Sequence, residues 1–169
     1  MFELKNLADN AQSALFVIMA ESALKLSENE EVHEVSKKAL NIYWKWVEDQ
    51  KISGDELYDL IDSGDKYDMV DLQSDIASDI ESDILDCVIN AVLYTSRKAY
   101  DYSNEYLPQA VEGVKETLYD DTKKIFISLD NSFAHKMEVI ENYFQSNNVR
   151  EFSDKAIMSF LDELLNSRF

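Results

Sequence analysis

Apolar side chains recur at steps of three and four along most of the chain, the spacing that lines up one face of an α-helix. Between Glu3 and Ser27 the series is Leu4, Leu7, Ala11, Ala14, Leu15, Ile18, Ala23 and Leu26, which predicts an amphipathic first helix. After the polar stretch 27–31, Val32, Val35, Ala39, Ile42, Tyr43, Trp46 and Val47 predict a second, ending near Lys51 to Gly54. Asp55 and Glu56 open a short third helix with Leu57, Leu60 and Ile61 turned inward, since acidic side chains favour a helix's first turn, and Gly64 closes it.

A long stripe follows: Met69, Leu72, Ile76, Ile80, Ile84, Val88 and Ala91, extending to about Asp101. Its portion from Ile84 to Leu93 is apolar nearly all round, which predicts the central buried helix. Pro108 suits the first turn of a further helix carrying Val111, Val114 and Leu118. Tyr119 to Phe144 reads as helix with a break near Asp130 to Ser132, and Ser153 as the N-cap of a last helix with Ile157, Phe160, Leu161, Leu164 and Leu165 inward. The expectation is an all-α bundle of about six or seven helices around a buried central helix, one domain over residues 1–169.

Composition strengthens that picture. One proline and three glycines are too few for the turns of a β or α/β fold, and 46% hydrophobic residues disfavour disorder. A net charge of −18 changes the functional picture more. It repels nucleic-acid phosphates and anionic lipid, so direct nucleic-acid or membrane binding is not expected, whereas a basic protein surface is attracted. Cys87 is the only cysteine, which rules out an internal disulfide and suits a reducing compartment. The apolar run from Ala14 to Ala20 is too short to span a bilayer and lacks the basic flank of a signal peptide, so a cytoplasmic location is expected.

The acid is concentrated. Between Glu48 and Asp86 there are fourteen acidic residues against Lys51 and Lys66, a net charge of −12. Asp71, Asp75, Asp79 and Asp83 sit four apart, which places them in a row on one helix face, an anionic ridge beside the Ile76, Ile80 and Ile84 stripe. Like charges at this spacing cost a helix about 0.2–0.5 kcal/mol per pair, a repulsion that a cationic partner relieves. Any one aspartate is most simply a solvated side chain; the ridge together points to a binding surface. Asp55, Glu56, Asp59 and Asp62 extend it, and Tyr58 and Tyr67 supply aromatic anchors ringed by charge. Tyr100, Tyr102 and Tyr106 with Asp101 and Glu105 form an alternative patch.

Catalytic patterns are missing. There is no G-x-S-x-G elbow, glycine-rich phosphate loop, calcium loop or H-E-x-x-H, and His33 and His135 lie in different predicted helices. Cys87 falls in the most apolar stretch, where a thiol is packing. No catalytic residue, cofactor or metal ligand is assigned. Trp44 and Trp46 differ by about 200° around a helix, so Trp46 is expected in the core and Trp44 against a neighbouring helix.

The first helix, the YWKWV stretch Tyr43 to Val47, the GDELY segment Gly54 to Tyr58 and the long central helix together resemble the sixth family of all-α immunity proteins of bacterial polymorphic toxin systems. The resemblance covers most of the chain and is densest from Ala39 to Tyr58. It implies a cytoplasmic, non-enzymatic antidote that binds the C-terminal domain of a cognate secreted toxin. A nuclease, with its basic cleft, is the toxin type the acidic ridge suits; pore-forming and deaminase toxins stay open. Two further readings remain: a general DNA mimic that occupies nucleic-acid-binding proteins, and a carboxylate metal-binding protein, for which the ligand spacing is poor.

Overall fold

The computed structural model describes residues 1–64, 67–103, 106–146 and 163. Among them all regular structure is helical. A single 3-10 turn, Leu4–Asn6, precedes α1 (Asp9–Leu24), α2 (Glu30–Asp49), α3 (Gly54–Tyr58), α4 (Met69–Asp75), α5 (Asp79–Ser103), α6 (Gln109–Glu112), α7 (Thr117–Leu129) and α8 (Phe133–Ser146). The helix expected from Ser153 lies outside the described residues.

Local chemistry sets most of the boundaries. Asn29 caps α2 by accepting from the N–H groups of Glu31 and Val32, and Gln50 ends it in the left-handed conformation, its N–H returned to Trp46. Ser53 and Glu56 form a reciprocal capping box at α3, and Asp68 caps α4 through the N–H groups of Val70 and Asp71. The break expected near Asp130 to Ser132 separates α7 from α8. There the Asp130 carboxylate accepts from Ser132 Oγ at 2.5 Å and from its N–H at 2.7 Å, bonds that hold its pKa below the ordinary value.

Helix α5 is the hub, packed against α1, α2, α3, α4, α6 and α7. Its residues Ile84, Leu85, Cys87, Val88, Ala91, Val92 and Tyr94 are buried, as a central helix requires. The first helix departs from expectation: α1 is enclosed rather than amphipathic, with Ala14 through Ala20 all at 0% exposure. The polar residues Ser13 and Ser22 are small enough to bury, and Gln12 accepts the Tyr94 hydroxyl at 2.5 Å. Phe16 stacks on Tyr94 with centroids 4.3 Å apart and meets Tyr119 edge-on at 5.7 Å, which ties α1, α5 and α7 together.

Both tryptophans lie where their angular separation predicts. Trp46 is fully buried, and Trp44 reaches from α2 to α1, donating its indole N–H to Glu21 at 2.5 Å. Burial pushes the Cys87 thiol up to about 12, with Asp86 and Asp83 adding to the shift, so it is an unreactive packing group.

Candidate partner-binding surface

The acidic segment runs along one side of α5. At one end the Tyr100 hydroxyl donates to Asp55; at the other Gln73 Nε2 donates to Asp86 at 2.5 Å. Tyr100 lies 21 residues beyond Asp79 on the same helix, about 30 Å along its axis. Asp55 and Asp79 therefore mark opposite ends of a strip.

The continuous ridge is the main correction. Asp71 and Asp75 are on α4 and Asp79 and Asp83 on α5, because the chain leaves the helix at Ile76, with φ −76° and ψ 124°, and restarts after Ser78. Ser78 takes the capping position: its Oγ accepts from the Glu81 N–H at 3.4 Å and its carbonyl from the Ser82 N–H at 2.9 Å. The Ser78-x-x-Glu81 spacing is a helix-start signal that the isoleucine periodicity masked. Continuing the helix would also have stacked four mutually repelling aspartates. Ile80, read as part of the core stripe, is 60% exposed as a result.

Several acidic residues already serve the fold. Asp55 holds Tyr100, Glu56 completes the capping box, and Asp68 accepts from Ser63, Val70 and Asp71 N–H groups. Glu81, buried beneath the turn before α2, accepts from Ser27 Oγ at 2.6 Å, the Glu28 N–H at 2.7 Å and the Asn29 N–H at 3.2 Å. Asp59, Asp62, Asp71, Asp75 and Asp79 are exposed. Asp83 is half-buried, and desolvation, with Asp86 and Asp79 beside it, raises its pKa.

Tyr67 organises the exposed group. It is 53% exposed and donates to Asp75 at 3.0 Å. Desolvation, that bond and the charges of Asp75, Glu31 and Asp71 push its pKa up to about 12. Tyr58 is packed more deeply: its hydroxyl donates to Asp62 at 3.4 Å, and desolvation with Asp62 and Asp68 raises its pKa. Glu31, from the start of α2, belongs to this surface although it lies outside the acidic segment. Val70 and Ile80 are exposed apolar side chains flanked in sequence by Asp71 and Asp79.

Beside Tyr67 is a groove of about 470 Å³ between α2 and the chain joining α3 to α4. Val35, Ala39, Leu60 and Met69 form its apolar floor; Lys38, Asp59, Ser63, Tyr67 and Asp68 form its rim. The α2 contributions carry no signal in the sequence, since Val35 and Ala39 read as ordinary core positions. The alternative aromatic patch dissolves in part: Tyr100 is 1% exposed beneath α3, while Tyr102 and Tyr106 are exposed and Glu105 lies outside the described residues.

Among the described residues, no three His, Cys, Asp or Glu side chains converge as a metal site, and no helix is long and apolar enough to cross a membrane. What the geometry offers is an all-α scaffold with an acidic, partly aromatic exposed face. The family model of Immunity protein Imm6 matches residues 11–131, well over half of the chain, and the protein belongs to that immunity protein family. No curated protein and no solved structure matches it.

Proposed function

We propose that the chain, acting as one domain over 1–169, neutralises the C-terminal domain of a cognate secreted toxin inside the producing cell by covering a basic surface, a nuclease cleft being the target that suits it best. The mechanism is stoichiometric binding without turnover. The single observation that carries this reading, within an immunity protein family, is the stretch from Tyr67 to Ile80, where Tyr67, Val70 and Ile80 are exposed among exposed Asp71, Asp75 and Asp79 and the Tyr67 hydroxyl donates to Asp75. Apolar side chains that are desolvated on contact supply affinity, and the carboxylates around them steer a cationic partner and exclude others. The general DNA-mimic reading loses its main support with the regular row of aspartates, now split between two helices.

The test is co-purification with the C-terminal domain of the toxin encoded beside the gene, with toxicity assayed alongside. A one-to-one complex that abolishes toxicity is expected. The double variant Asp71→Lys/Asp75→Lys should slow association at least tenfold at low ionic strength and much less at high salt. An unchanged association rate removes this face from the interface.

A further inference from the structure

We infer that the groove beside Tyr67 is the receptor for an arginine side chain of the toxin domain, an assignment that rests on the antidote reading above. Each part of an arginine has a counterpart there. Val35, Ala39, Leu60 and Met69 offer an apolar floor to its methylene stem. The exposed Tyr67 ring offers a face on which a planar guanidinium stacks, and its negative side attracts the cation. Asp59 is exposed on the rim and presents a carboxylate to which a guanidinium donates two parallel hydrogen bonds. Asp75, which accepts the Tyr67 hydroxyl, and the charges of Glu31 and Asp71 acting on the same hydroxyl deepen the negative potential there.

The choice of arginine over lysine follows from shape. A compact ammonium pairs with Asp59 but gains little from the ring, whereas the flat, weakly hydrated guanidinium uses ring and carboxylate together. Lys38 is the basic residue among the described groove-lining positions, and it forms no ion pair among the described residues. Its ammonium opposes an incoming cation, so removing it should help the partner, an effect opposite in sign to that of an ordinary lost surface contact.

The experiment is an arginine-to-alanine scan of the surface of the toxin domain encoded beside the gene. Each variant is titrated calorimetrically against the wild-type antidote, Asp59→Asn and the groove-filling Leu60→Trp, with thermal melts to verify folding. One toxin arginine should cost about tenfold or more in Kd against wild type, as expected of an anchor, and about twofold or less against Asp59→Asn or Leu60→Trp. Lys38→Gln should tighten binding of the unmodified toxin domain. Should Leu60→Trp misfold, the exposed positions Asp59 and Lys38 still decide the matter. A complex that forms while no arginine couples to Asp59, or in which a lysine couples instead, overturns the groove assignment and leaves the antidote reading standing. Failure of the wild-type protein to bind at all overturns both.

Discussion

Single residues in this protein divide between those that hold the acidic strip in place and those that remain available on it. Gly54 belongs to the first kind. A Cβ at this position would lie 2.5–2.6 Å from three atoms of the Tyr100 ring, which is itself fixed by its bond to Asp55. Gly54→Ala should therefore destabilise the protein by about 1–3 kcal/mol, the usual cost of overpacking, read as a lower urea midpoint with an unchanged slope. Glycine at a helix start is legible as a turn signal; its contact with a ring 46 positions away is not, because nothing local in the sequence encodes which aromatic will meet it. The same division separates Tyr58 from Tyr67. Both carry an aromatic ring and an acidic neighbour, but Tyr58 is packed on the core and Tyr67 is left outside it, a difference set by tertiary placement.

Periodicity made most of the helices readable, and the acidic pair Asp55 and Glu56 marked the start of α3, whose Ser53 cap appears only in the structure. Where two signals competed, the stronger period concealed the weaker cap: Ile76, Ile80 and Ile84 continue a stripe across Ser78, and the stripe hid the break. The acidic segment was legible as a surface, while its arrangement as a strip along α5, with Glu31, Val35 and Lys38 contributed by α2, depended on packing. The joint between α4 and α5 has a measurable consequence. Asp83 is half-buried beside Asp86 and Asp79, and its pKa in the folded protein lies above the ordinary carboxylate value. A raised folded-state pKa means that the ionised form is disfavoured by folding, so Asp83 costs stability at neutral pH and stops costing it once both states are protonated. Asp83→Asn should raise the melting temperature at pH 7, and the gain should shrink as pH falls through the folded-state pKa and vanish below the ordinary value of 3.8. A gain independent of pH would assign the effect to packing.

At the scale of the whole molecule, the net charge of −18 acts on folding and on association with opposite signs. In the free protein the exposed carboxylates Asp59, Asp62, Asp71, Asp75 and Asp79 repel one another, and the sequence from Glu48 to Asp86 sets only Lys51 and Lys66 against fourteen acidic residues. Added salt screens that repulsion, with a screening length of about 30 Å at 0.01 M falling to about 8 Å at 0.15 M, comparable with the strip itself and then much shorter. The free protein should therefore melt at a higher temperature at 0.15 M salt than at 0.01 M. The same screening shortens the reach of the strip toward a basic partner, so the association rate with the toxin domain should fall over the same interval while dissociation changes less. The two trends are separable by measuring melts and association kinetics on the same samples. Wild type should show both, and Asp71→Lys/Asp75→Lys should weaken both, since one set of charges produces them. If salt slows association equally in the wild type and the double variant, steering comes from charge elsewhere on the molecule, and the Tyr67 face contributes contact without guidance.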